Sequence, residues 1–150
     1  MKKITPFLWF NDNLGEAIDF YTSIFKNAKV EHSSKNGNKV VSAAFHLDGQ
    51  DFLALDGGPH FTFSPAVSFF INCETQEEID EFWEKLSTGG ESQRCGWLKD
   101  KFGLSWQIVP SILGHFLQNE NREKANRTMQ AMLQMNKLDI ETLQRAFDGN

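Results

Sequence analysis

The sequence reads as an α+β chain of two tandem βαβββ modules followed by a C-terminal helical extension, and three observations carry that reading. Apolar residues run in the order strand, helix, three strands, and then do so again. The letters themselves repeat at an offset of 61, with Phe10-Asn11 on Ile71-Asn72, Glu16 on Glu77, Ile18-Asp19 on Ile79-Asp80, and Tyr21 and Phe25 on Phe82 and Leu86. From Ser111 onward the pattern turns wholly helical. One domain is expected over 1–150, with modules at about 4–56 and 66–110 and a tail at 111–150.

Ile4 to Phe10 reads as the first strand, and Asn11-Asp12-Asn13 as the turn that starts a helix. Leu14, Ala17, Ile18, Tyr21, Ile24 and Phe25 fall at helical spacing, so the helix is placed at Leu14 to Phe25. Strands follow at about Ala28 to Ser34, Lys39 to Leu47 and Gln50 to Leu55, separated by the hairpin signals Asn36-Gly37-Asn38 and Asp48-Gly49. In the middle strand, Ala43, Phe45 and Leu47 take one face, and Ser42, Ala44 and His46 the other.

The second module opens with a strand at Pro65 to Cys73. Thr75 and Glu78 have capping-box spacing for a helix running to about Leu86, which Gly89-Gly90 ends. Three short strands through Val109 complete the module. Its last sixteen residues, Cys95 to Pro110, carry Trp97 and Trp106 on two runs around the polar turn Lys99 to Gly103, as a β-hairpin with a longer loop would. This hairpin is the expected wall of any binding site. The tail then offers helices at Leu113 to Leu117, Glu123 to Met135 and Ile140 to Phe147, with Asp139 as an N-cap and an apolar face of Met129, Met132, Leu133 and Met135.

Composition narrows the classes of partner. Fifteen Lys plus Arg against 20 Asp plus Glu give a net charge of −5, which argues against nucleic acid and anionic membranes. Fourteen Phe and four Trp against one Tyr put aromatic surface into the core and into any pocket. Met1-Lys2-Lys3 leads into a strand rather than a signal peptide, and no apolar run has bilayer length. Cys73 and Cys95 lie in no metal-knuckle spacing. The expectation is a cytoplasmic protein with free thiols.

Five runs carry a family resemblance: Leu55 to Pro59 (LDGGP), Phe61 to Phe69 (FTFSPAVSF), Thr75 to Asp80 (TQEEID), Cys95 to Asp100 (CGWLKD) and Gly103 to Pro110 (GLSWQIVP). With the duplicated module, they make the chain resemble the vicinal oxygen chelate superfamily of glyoxalase I, extradiol dioxygenases, and bleomycin and fosfomycin resistance proteins. Within it the chain is similar to the PhnB-like branch, labelled 3-demethylubiquinone-9 3-methyltransferase-like. The resemblance implies a site in a cleft between the modules and a divalent metal held by His, Glu or Gln from four strands. The corresponding positions here are Pro6, Leu53, Val67 and Gln107. Three of the four have no ligating group, and a single amide cannot hold a catalytic cation, so no metal and no cofactor are expected.

Alternation places Trp106 and Gln107 on opposite faces of their strand, which gives Gln107 to the site and Trp106 to the core. The expected ligand-binding set is Gln107, Leu53, Phe61, Phe63, Ser68 and Trp97. Candidates for chemistry are His46, His60 with Asp56 nearby in sequence, and Cys95; each also has a plain reading. Cys95 reads first as a small buried side chain and His46 as a hydrogen-bonded strand residue.

The leading expectation is a metal-free, homodimeric binder of a small molecule. The competing one is a lyase or isomerase using His46, Asp56, His60 or Cys95 as its acid-base set. Methyl transfer, as the family label says, is weaker, because the chain lacks a Gly-rich strand-to-helix turn in an alternating βα frame.

Overall fold

The computed structural model describes residues 2–150 and divides into two compact units, one ending at Phe63 and one spanning Ser64–Asn150. In the first, β1 (Phe7–Phe10) leads into α1 (Leu14–Ile24), then β2 (Ala28–Asn36), β3 (Lys39–Leu47) and β4 (Gln50–Asp56). The sheet order is β1-β4-β3-β2, with β1 parallel to β4 and the other pairs antiparallel. β1 starts at Phe7 rather than at Ile4, because the chain before Pro6 makes no ladder: Pro6 contributes only its carbonyl, to Leu53 N.

α1 lies on one face of this sheet. Leu14, Ala17, Ile18 and Tyr21 are buried there with Leu8, Phe10, Ala43, Phe45, Leu47, Phe52 and Ala54. The alternation read in β3 is therefore the observed one. The opposite face carries Phe7, Trp9, Ser42, Ala44, His46, Asp51, Leu53 and Leu55, as the strand register requires.

The second unit repeats the plan with β5 (Ser68–Cys73), α2 (Gln76–Ser87), β6 (Glu91–Ser92), β7 (Trp97–Lys99) and β8 (Ser105–Pro110), in the order β5-β8-β7-β6. Both halves thus share one strand order and one parallel pair, the relation the 61-residue offset foretold. β5 begins at Ser68, three residues later than Pro65, since Ser64 to Val67 form a turn closed by Val67 N to Ser64 O. Thr75 caps α2 by accepting from Glu78 N, and the Glu78 carboxylate accepts from Glu74 N.

Three helices follow: α3 (Ile112–Leu117), α4 (Arg122–Leu133) and α5 (Ile140–Asp148). They share a core of Val109, Leu113, Phe116, Leu138 and Leu143. Asp139 caps α5 as expected, accepting from Thr142 N. α4 stops at Leu133, two residues short of the sequence reading. The chain from Gln134 to Asn136 instead turns its carbonyls outward: Cys95 N donates to Met135 O and Gly96 N to Asn136 O, each at 2.8 Å. Gln76 fastens the next stretch, its amide donating to Leu138 O and accepting from Ile140 N. The tail is bound to the second unit by backbone pairing as well as by apolar contact.

Candidate functional site

In the second unit the functional face follows from β8. Trp106, Ile108 and Leu98 are buried on the α2 side, which leaves Gln107 on the other, beside Ser68, Phe70 and Trp97 in register. Gln107 Nε2 donates to Ser68 Oγ at 3.0 Å, an amide and a hydroxyl joined across neighbouring strands. Each keeps unused capacity: the hydroxyl hydrogen of Ser68, and one N–H and the carbonyl of Gln107. Ser105 pairs in register with Ser68 on that same side; its Oγ is buried and has no hydrogen-bond partner among the described residues. Phe70 is 58% exposed and Trp97 half-buried beside them. Polar groups and aromatic surface are thus collected on one side of β5, β8 and β7, as recognition of a small molecule requires.

Cys95 and Gly96 form the corner that brings Trp97 onto this face. Both have left-handed backbone, φ 61° and 81°. At Gly96 a Cβ would lie 2.8 Å from Ile108 O and 3.0 Å from Leu138, so glycine is required for close approach as well as for φ. Cys95 is half-buried, and its amide is spent on the tail. Cys73, fully buried on the α2 side, has its thiol pushed up to about 12 by burial and by the nearby Glu78 and Glu74 carboxylates.

In the first unit the structure separates Asp56 from His60. The Asp56 carboxylate accepts from Asp12 N at 2.8 Å and Leu14 N at 3.4 Å, so it serves as a remote cap for α1. Lys39 stands 3.9 Å away on the same oxygen that binds Asp12 N. His60 is exposed in the turn after Pro59. His46 instead finds a carboxylate that sequence distance hid: its Nδ1 is 3.0 Å from Glu31 Oε1.

Phe61 and Phe63 are both placed by the first strand. Phe61 meets Trp9 edge-on at 5.0 Å, and Phe63 meets Phe10 at 5.3 Å. Phe63 therefore packs against a core side chain, while Phe61 belongs to the face of Leu53. Trp9, which the sequence reading passed over, is the anchor of that face. Its indole donates to Gly58 O at 2.9 Å and lies where a Cβ on Gly57 would come within 2.3 Å of the ring. Alternation in β1 contains the signal, since it sets Phe7 and Trp9 against Leu8 and Phe10.

The four positions implied for a metal are unsuited to one. Leu53, Val67 and Pro6 offer no donor side chain, and the amide of Gln107 is bonded to Ser68. Among the described residues, no three His, Cys, Asp or Glu side chains gather where they could share a cation. No helix among these residues is long and apolar enough to cross a membrane.

Against known proteins, residues 2–109 match the family model described as 3-demethylubiquinone-9 3-methyltransferase. A PhnB protein from Bacillus cereus, which carries the same description, is 36% identical over 73% of this chain and 100% of its own, with a TM-score of 0.69. The protein PA1353 from Pseudomonas aeruginosa is similar in fold, with 20% identity, a TM-score of 0.60, and coverage of 73% of this chain and 98% of its own. A fosfomycin resistance protein, FosX, from Listeria monocytogenes, solved with Mn(II) and a dihydroxypropylphosphonic acid, has 19% identity and a TM-score of 0.57 over 79% of this chain and 97% of its own. No curated protein matches the chain. With a family model covering most of its length and a relative of this identity, the chain belongs to the 3-demethylubiquinone-9 3-methyltransferase-like, or PhnB-like, family.

Proposed function

We propose that this protein binds a small organic molecule without a divalent cation, using the side of β5, β8 and β7 that carries Gln107, Ser68 and Trp97. The observation that carries this reading is the Gln107–Ser68 hydrogen bond at 3.0 Å. At a position where the superfamily implies a metal ligand, this chain has an amide whose partner is a hydroxyl, and aromatic side chains stand around them. The buried, unpartnered hydroxyl of Ser105 adds a third polar group to the same side. Methyl transfer enters only through the family's name.

The reading includes a homodimer. Edge strand β1 and the residues before it expose Ile4 and Phe7, at 87% and 56%, and edge strand β5 with its approach exposes Val67 and Phe70, at 64% and 58%. Exposed apolar edge strands are what a second copy would cover.

The test is to purify the protein without added metal, measure its metal content and native mass, and release bound small molecules by denaturation for mass spectrometry. A co-purifying organic molecule that is lost from the Gln107→Ala and Ser68→Ala variants, with a native mass of two chains, supports the reading. One equivalent of a divalent cation overturns its metal-free part.

A further inference from the structure

We infer that the side of the first unit's sheet turned away from α1 holds a proton-transfer site for a small carbon acid, with His46 as the base and Glu31 as the group that positions it. This goes beyond binding, and it rests on residues other than those of the second unit.

Glu31 occupies a β-bulge. The register of β2 on β3 runs regularly to Val30 against Phe45 and then skips, resuming with His32 against Ala44. Glu31 is the inserted residue, and its side chain reaches His46, two residues along β3 from Ala44. Bulges of this kind change the local direction of a side chain. The carboxylate takes the Nδ1 side of the imidazole at 3.0 Å, so in the neutral ring the proton belongs on that nitrogen and Nε2 is the basic one. A base held by a third group in this manner is the arrangement of general-base sites.

The setting mixes apolar and charged neighbours. His46 shares its side of the sheet with Ala44, Leu53 and Phe7, and its side chain is 21% exposed, so it is withdrawn from bulk water yet reachable. The charged and titratable groups around it are Glu31, Lys29 (3.9 Å from the other Glu31 oxygen), Asp51 directly across β4, and His32 across from Ala44. In the reaction, Nε2 takes a proton from a carbon made acidic by a neighbouring carbonyl or heteroaromatic ring. The C–H electron pair passes into that group, and the imidazolium returns the proton to substrate or water. No co-reactant is consumed.

The test uses 5-nitrobenzisoxazole as probe. Removal of its ring C–H proton converts the electron pair into a nitrile, breaks the N–O bond and releases a coloured phenolate. The expected result is a rate roughly 100-fold or more above that of free imidazole at equal concentration, the range a positioned base supplies. His46→Gln should bring the rate to background. Glu31→Gln should lower it about tenfold and alter the pH–rate profile, the signature of lost positioning. His60→Gln should leave the rate unchanged. Nitrogen NMR of the folded wild-type protein gives a second readout that needs no variant, with the proton expected on Nδ1 of His46. An unchanged rate in His46→Gln, a wild-type profile in Glu31→Gln, or a proton on Nε2 would each overturn the assignment.

Discussion

Trp106 Nε1 donates to Asp100 Oδ2 across 2.9 Å inside the second unit. The other oxygen of that carboxylate accepts from Phe102 N and Leu104 N, so one buried side chain both shapes the turn between β7 and β8 and fixes the indole beneath it. Replacing it with alanine removes the acceptor of all three bonds. Asp100→Ala should lower unfolding free energy by about 3 kcal/mol in urea titrations, and Asp100→Asn by less, because an amide still accepts. A loss under about 0.5 kcal/mol for the alanine variant would mean the turn holds without it.

Asp56 was a candidate for chemistry, and its observed bonds give it a structural task. Asp56→Ala should cost about 1–2 kcal/mol through loss of the cap on α1. His46-dependent proton transfer should be untouched in the folded variant. Thermal melts and the benzisoxazole assay read the two effects separately.

The two thiols should behave differently. Cys73 has its thiol raised to about 12 against an ordinary value near 9. In the unfolded chain it ionises first, so the stabilisation is full below about 9 and declines as pH rises from 9 towards 12. Wild type should therefore lose more stability than Cys73→Ala over that interval. A disulfide reagent should titrate Cys95 in the native protein and reach Cys73 only on unfolding.

Leu138 is fully buried between the tail and Gly96. Leu138→Ala should cost about 2–5 kcal/mol, the usual range for a core leucine. Hydrogen exchange should quicken at the Cys95 and Gly96 amides, which are bonded to the adjoining loop. Breaking the exposed Asp80–Lys137 pair with Asp80→Asn should cost less than about 1 kcal/mol. Partners hold the Asp80 carboxyl below its usual range, Gln76 first and then Lys137, so what the pair contributes is lost only as pH falls through the acid range.

What could be read in the letters was local or periodic. The capping box at Thr75 and Glu78, the Asp139 cap, the alternation of β3, and the separation of Trp106 from Gln107 all depend on spacing within a few residues, and the duplication announced itself at one offset. Pairings that depend on register across distant strands were hidden. Glu31 meets His46 because β2 and β3 pair with Lys29 opposite His46, a register that no residue type in Val30 to His32 signals. Asp56 caps α1 only because β4 lies parallel to β1, which puts residues 12 and 56 side by side. The end of α4 was hidden for the same reason: Gln134 to Asn136 continue a helical pattern, but the Arg94 side chain and the amides of Cys95 and Gly96 claim their carbonyls.

The two halves of the duplication have diverged in a way that bears on how the protein can be dissected. The first keeps β2 and β3 at nine residues each, while β6 and β7 have shrunk to two and three. Beyond this shortened hairpin, the Cys95–Gly96 backbone is matched by chain borrowed from the loop after α4. The later helices thus act as a graft on a truncated module, and a fragment cut at Pro110, where internal symmetry and the family match both invite the scissors, would carry an open wound at residues 94–96. The second half keeps its bonded backbone and its shared core only when it runs on through α5.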